Sequence, residues 1–314
     1  MNFLIIIFFI SLGWVAKNDR WIKDKHISLV NHYVIYVCLP AIVLLKIPQL
    51  NIDQSVIFPV IMAWLLIPIG VIIVLTLAHF NDWSKEVTGC LLLLACFGNT
   101  SFVGLPIIQA FYGEQAIGYA VIYDQVGSFL SLAIIGNFFV AKYSTEPKGR
   151  VISPNNRQEN IQAITPFLIK VFSFPPFIAL IIAFVIGDNL FPQIIQNGFW
   201  LISLTLVPAT MFLVGSHFQL KIPKELTTPL GWAIAIKMLL APAFALLFLL
   251  LFEQRGLYSQ VTFMESAMPP MVTASILAIH AKLAPKLAAA AVGYGLIAAI
   301  FVIPVVYWFS SLIK

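Results

Sequence analysis

Apolar runs of about 20 residues, repeated from one end of the chain to the other, leave few folds open to it. Twenty helical residues rise about 30 Å, the thickness of the hydrocarbon core of a bilayer. Of the 314 residues 61% are hydrophobic and 10% charged, and the mean hydropathy is +0.96. That balance lies outside the range of soluble domains. A transmembrane barrel would need short alternating segments, which are absent. The fold class is therefore an all-α polytopic membrane protein, with the lipid bilayer as its first partner. The pI of 9.1 arises from basic residues in short loops, with no basic stripe or stacking module, so no nucleic acid partner is expected. The first run lacks a basic leader and a small-residue cleavage site, and reads as a retained span. Cys38, Cys90 and Cys96 lie in apolar runs and offer no disulfide framework.

The breakers between runs predict ten spans, near 2–16, 28–46, 55–79, 87–111, 116–141, 167–187, 194–218, 229–252, 259–281 and 287–312. A polar stretch, 142–162, separates five from five and reads as a loop without a domain of its own. Punctuation matches across it. Leu39-Pro40-Ala41 in the second span resembles Val207-Pro208-Ala209 in the seventh, and Pro68 in the third has a counterpart in Pro242 of the eighth. Pro106 in the fourth answers Pro269 or Pro270 in the ninth. Three matches in corresponding spans predict a duplication. The units are a first five-helix repeat at 1–141, a cytoplasmic linker at 142–162 and a second five-helix repeat at 163–314. An odd number of spans inverts the second copy, the plan of many secondary transporters, with broken crossover helices four and nine.

Basic residues set the orientation. Lys17, Arg20, Lys23, Lys25, Lys85, Lys142, Lys148, Arg150, Arg157, Lys170, Lys221, Lys224, Lys282 and Lys286 collect on one face. The other face has Lys46, Arg255 and Lys314. The positive-inside rule then predicts a cytoplasmic central loop, with both termini outside. Trp14, Trp21, Trp83, Trp200, Trp232 and Trp308 fall near span ends, as belt residues do. The five histidines show no metal-ligand spacing, so no metal site is expected.

Two stretches contradict their apolar surroundings. Gly98-Asn99-Thr100-Ser101-Phe102-Val103-Gly104-Leu105-Pro106 would weaken a helix in mid-membrane, and Glu265-Ser266-Ala267-Met268-Pro269-Pro270-Met271-Val272-Thr273 would do so in the ninth span. Broken backbone at that depth is tolerated only inside a bundle or along a cavity. Two half-helix N-termini meeting there would carry about half a positive charge each and favour a carboxylate. The expected substrate contacts are Asn99, Thr100, Ser101, Gly104, Pro106, Pro269, Pro270 and Thr273. The competing reading is a pair of proline kinks that only shape packing.

Ionisable side chains inside spans cost about 2.5–3.5 kcal/mol each, so each calls for a partner or a function. Asp124 and Glu265 could carry a coupling proton or give oxygens to Na+, with Gln125 and Ser128 beside Asp124. Ser131 and Asn137 extend that polar stripe. Lys237 could attract an anion, neutralise a carboxylate, or snorkel to the interface marked by Trp232. No metalloprotease, Walker, nucleophile-elbow or dinucleotide motif occurs, so the chain is not expected to be an enzyme, and no cofactor is expected beyond a coupling Na+ or H+. A passive anion channel is the alternative of a different class.

The Gly98–Pro106 segment resembles the Asn-x-x-Phe-hydrophobic-Gly-x-Pro motif of the auxin efflux carrier family. Leu39-Pro40-Ala41 and Ala267-Met268-Pro269-Pro270 are similar to that family's patterns as well, and the likeness spans nearly the whole chain. The resemblance implies ten helices with crossing helices four and nine, a fold shared with sodium–bile acid symporters. It implies a scaffold of helices 1, 2, 6 and 7 and a moving unit of helices 3–5 and 8–10. It also implies organic anion substrates, with Asn99 as the site asparagine and Pro106 with Pro269 or Pro270 as the crossover prolines. The short central loop looks like that of a bacterial permease in the inner membrane, which points to malate- or malonate-type acids and away from auxin. A sodium-coupled symporter of bile-acid-type anions is the alternative on the same fold. Glu265 departs from the family pattern. A homodimer through the scaffold helices is open to such a chain.

Overall fold

The computed structural model describes residues 3–50, 54–144, 172–187, 191–217 and 222–314. Most of the predicted linker at 142–162, the start of the sixth run and Lys148, Arg150, Arg157, Lys170 and Lys221 lie outside them.

The described residues form helices joined by short turns, with one isolated β-bridge and no longer strand. In chain order they are α1 (Phe3–Asn18), α2 (Asp24–Gln49), α3 (Ser55–Phe80), α4 (Lys85–Cys96), α5 (Thr100–Tyr112) and α6 (Glu114–Tyr143). After the linker come α7 (Pro175–Ile186), α8 (Gln193–Ser216), α9 (Lys224–Leu251), α10 (Leu257–Ser266), α11 (Val272–His280) and α12 (Pro285–Ile313). Among the described residues six of these, α2, α3, α6, α8, α9 and α12, are each long and apolar enough to cross a membrane. Large apolar side chains such as Ile61, Ile72, Leu251 and Phe301 stand exposed along them. Only lipid hides such surfaces from water, so the chain is a polytopic membrane protein.

Local chemistry sets the ends. Ser84 caps α4, its hydroxyl accepting from the Val87 N–H. Gly113 (φ +80°) and Gly256 (φ +102°) make the turns into α6 and α10, in the left-handed region that glycine enters without strain. The fourth and ninth runs are each split in two, α4 from α5 and α10 from α11, where Gly98–Asn99 and Pro269–Pro270 interrupt them. The core divides at the same place. α5 and α10 pack with α1, α2 and α8, while α4 and α11 share a second cluster with Ile236, Leu283 and Leu287.

Three π-turns lie where polar side chains enter the membrane: Thr100–Gly104 opens α5, Tyr123–Phe129 lies in α6, and Ile236–Leu240 carries Lys237, while Val34–Cys38 in α2 and Leu132–Gly136 in α6 are apolar. Such turns add a residue to the helical repeat and are frequent at functional sites.

Candidate functional site

The two breaks are stitched to each other. The Asn99 N–H donates to the Pro269 carbonyl at 2.8 Å, and the Met271 N–H to the Phe97 carbonyl at 3.1 Å. Together they form an antiparallel bridge between Gly98 and Pro270. Unwound backbone that would otherwise strand its polar groups is thereby satisfied inside the protein. The expected cradle of main-chain donors is narrower for it, because these two N–H groups are spent on the opposite break. A third is capped by Asn99 itself, whose Oδ1 accepts from the Phe102 N–H at 3.2 Å. That fixes the asparagine's orientation and leaves its Nδ2 buried with no partner among the described residues. Behind the crossing, Gly295 of α12 packs on the double proline, since a Cβ there would lie 2.6 Å from Pro270 Cδ.

Polar side chains gather around this crossing. Thr100 and Ser101 each donate a hydroxyl to Asp124 Oδ1 at 2.5 Å, and Gln125 Nε2 donates to Oδ2 at 2.7 Å. The π-turn of α6 thus grips the π-turn of α5 through one carboxyl group. Trp64 of α3 donates to the Val126 carbonyl in the same turn at 3.0 Å. Lys237 is 4% exposed and donates from Nζ to the Ser266 carbonyl at 2.6 Å, at the last residue of α10. An ammonium there meets the negative end of the half-helix. Its stem crosses Gly98, where a Cβ would stand 2.6 Å from Lys237 Cε, so the glycine is the slot that admits the lysine. Glu265 is fully buried, and neither of its oxygens is hydrogen-bonded among the described residues. Its carboxyl lies against Gly104, where a Cβ would come within 2.2 Å of Oε2.

A narrow pocket lies beside the crossing, with a free volume of about 20 Å³, room for a water or two, so a substrate needs it to widen. Gly98, Thr100, Tyr123, Ser128, Ser131 and Lys237 supply its polar wall, α3 and α9 its apolar one. Lys237 is the one charged side chain on that wall among the described residues. Both acids lie behind it. An ammonium with hydroxyls around it and apolar walls opposite can hold a small carboxylate.

The structure therefore brings together Asn99, Thr100, Ser101, Gly104, Asp124, Gln125, Ser128, Lys237 and Glu265, with Pro269 and Pro270 at the bridge. Pro106 is buried in α5, two residues after the π-turn Thr100–Gly104. Thr273 stands exposed on α11, outside this group, and Asn137 is exposed and bonds the Ala133 carbonyl. Lys237 does not snorkel; it points inward. Gly98 as a slot for Lys237, and Tyr123 and Cys96 on the pocket wall, are additions from the structure. Their only signal in the sequence is adjacency to the polar residues already noted.

Comparison with known proteins agrees with this setting. Over 302 residues the chain is 26% identical to an uncharacterised transporter of Methanocaldococcus jannaschii, covering 92% of this chain and 91% of that protein. It is 22% identical over 283 residues to an uncharacterised transporter of Methanothermobacter thermautotrophicus, covering 88% and 87%. Residues 1–307 match the model of a family described as membrane transport protein. With helices that demand a bilayer and a polar crossing buried among them, the chain belongs to the membrane transport protein family, that of the auxin efflux carriers its motif resembles, and is a transporter, not an enzyme.

Proposed function

We propose that this protein is a secondary active transporter of small organic anions, mono- or dicarboxylates of the malate or malonate size. The observation that carries the reading is the pocket at the crossing, whose single charged wall group among the described residues is the Lys237 ammonium. A substrate carboxylate would pair with Lys237 and take a hydroxyl hydrogen bond from Ser128, the Thr100 and Ser131 hydroxyls being spent on Asp124 and the Ser128 carbonyl. The free Nδ2 of Asn99 would meet the substrate from the crossing, off the pocket wall. Ser101, Gly104, Pro106, Pro269, Pro270 and Thr273 would serve through the shape of the two half-helices.

On this reading the helices form ten spans in two inverted repeats, α1–α6 and α7–α12, joined by a cytoplasmic linker, with both termini outside. Two features support the inversion. The bridge between the breaks runs antiparallel, as it must when the two copies point opposite ways. And α1 packs on α8 while α7 packs on α2, each contact being the image of the other under the duplication. The scaffold would be α1, α2, α7 and α8. The remaining helices would carry the pocket across by elevator movement in a bacterial-type inner membrane, and a homodimer would form through the scaffold.

Uptake of labelled malonate and malate into proteoliposomes tests the reading. Asn99→Asp keeps the oxygen that caps α5 but replaces the free donor with a second, repelling oxygen. Uptake by the folded fraction is expected to fall at least about tenfold, the worth of a charge-assisted hydrogen bond, and the added buried carboxyl group lowers the melting temperature. Equal uptake in the variant would remove Asn99 from the site. Gly98→Ala places a methyl against Lys237 Cε and is expected to raise KM several-fold, with kcat changing less.

A further inference from the structure

The three buried ionisable groups at the crossing are provided for unequally. Asp124 has three donors, and Lys237 has the Ser266 carbonyl with further protons free for a ligand. Glu265 has neither donor nor counter-ion in contact among the described residues, and its carboxyl is pressed against Gly104. The charged groups that act on it are Asp124 of α6 and Lys237 of α9, with the Tyr123 hydroxyl also within electrostatic reach. Among the described residues the neighbouring α3, α5 and α12 present it no acidic or basic side chain.

Charge counting then decides what the site lacks. With all three ionised, two carboxylates and one ammonium leave the empty cluster one negative charge in excess; a bound monocarboxylate makes it two, and a dicarboxylate such as malonate three. A low-dielectric site does not hold such an excess; it takes up positive charge with its cargo. A metal cation would need a shell of oxygens around it. Gly104 closes one face of Glu265 at contact distance, and no hydrogen-bonding group adjoins the carboxyl among the described residues. A proton needs no further ligand.

We propose that Glu265 is the coupling group of a proton–carboxylate symporter. A carboxyl oxygen of Glu265 takes a proton from water on one side as the anion binds, travels as the neutral acid, and returns the proton to water on the other side. No bond to the substrate is made or broken. The inference rests on the transport reading above, but the two can fail separately, because Glu265 is not on the pocket wall.

The test uses the whole chain in proteoliposomes with a trapped pH dye, the membrane potential clamped, malonate as probe and protein-free liposomes as blank. Malonate entry is expected to acidify the lumen, and an acidic exterior to speed uptake about tenfold, with sodium replaceable by choline. Glu265→Gln keeps the shape as a neutral side chain. It is expected to abolish the proton movement and the pH stimulation while malonate still raises the melting temperature. Glu265→Asp, a second carboxyl, is expected to restore part of the proton movement. Lumen acidification that persists in Glu265→Gln, or stimulation that follows sodium, overturns the proposal. Should the glutamine variant not fold, the wild type decides, since malonate uptake without proton movement overturns proton coupling and leaves the transport reading standing. No uptake of any carboxylate overturns both.

Discussion

Lys237→Met is expected to lower carboxylate uptake by at least about 30-fold in the folded fraction, and to lower the melting temperature as well. The two effects have separate causes. For substrate, the ammonium is the one charge on the pocket wall among the described residues, and truncating one partner of a buried, hydrogen-bonded charge pair costs about 2–5 kcal/mol. The lower bound already corresponds to about 30-fold in affinity. For folding, the same ammonium is 4% exposed and gains one carbonyl partner for the loss of its hydration. Its removal leaves the buried Asp124 and Glu265 carboxyl groups without that cation, and removing one partner of a buried charge set is destabilising. The Ser266 carbonyl loses a donor as well, at about 1 kcal/mol. A lysine kept only for stability would show the early melting, with its folded fraction transporting normally. Melting curves with and without malonate, beside initial uptake rates, separate the two. Lys237→Arg is not expected to restore uptake: the guanidinium is broader and the slot over Gly98 has no room for it.

What the sequence exposed here, and what it hid, follow one line. Backbone breaks were legible because Gly98, Asn99, Pro269 and Pro270 are costly in a lipid-facing helix, so their presence in apolar runs had to signal protected depth. For the same reason the helix boundaries lie within a few residues of the apolar runs, for instance 55–79 against Ser55–Phe80. Direction was not legible. The depth of Lys237 could be read from its neighbours, yet whether it reached outward past Trp232 or inward over Gly98 depends on which helix packs beside it. The π-turns were equally hidden, since Tyr123–Phe129 has no residue that forbids an ordinary α-turn. Nor could the pattern show that the breaks would consume each other's N–H groups, because that pairing joins residues about 170 positions apart. Spacing along the chain reports what a segment cannot do. Contacts between segments decide what its side chains then face.

Gly13 and Gly215 make the strongest stability prediction, and neither stands in a polar or broken stretch. A Cβ at Gly13 would lie 2.1 Å from the Phe212 carbonyl oxygen, and one at Gly215 would lie 2.0 Å from that of Ile10. Both obstacles are backbone, so no rotamer change relieves them; α1 and α8 would have to move apart. In a membrane that separation is costly, because helices there are held by close packing and lipid tails give no hydrophobic return for burial. Each glycine-to-alanine change is expected to cost about 2–3 kcal/mol, the upper range of overpacking, and to lower the detergent melting temperature by roughly 5–10 °C. Once the first methyl has parted the helices, the second finds space already made. The double variant should therefore cost clearly less than the sum, a coupling of about 1 kcal/mol or more. A strictly additive cycle would show that the two glycines lie in separate contacts. Transport supplies the second readout. If α1 and α8 belong to the fixed scaffold, the folded fraction of either variant should bind malonate with unchanged KM, while Gly98→Ala, in the pocket, raises it without lowering the melting temperature. A raised KM in Gly215→Ala would place this contact in the part of the protein that moves with the substrate.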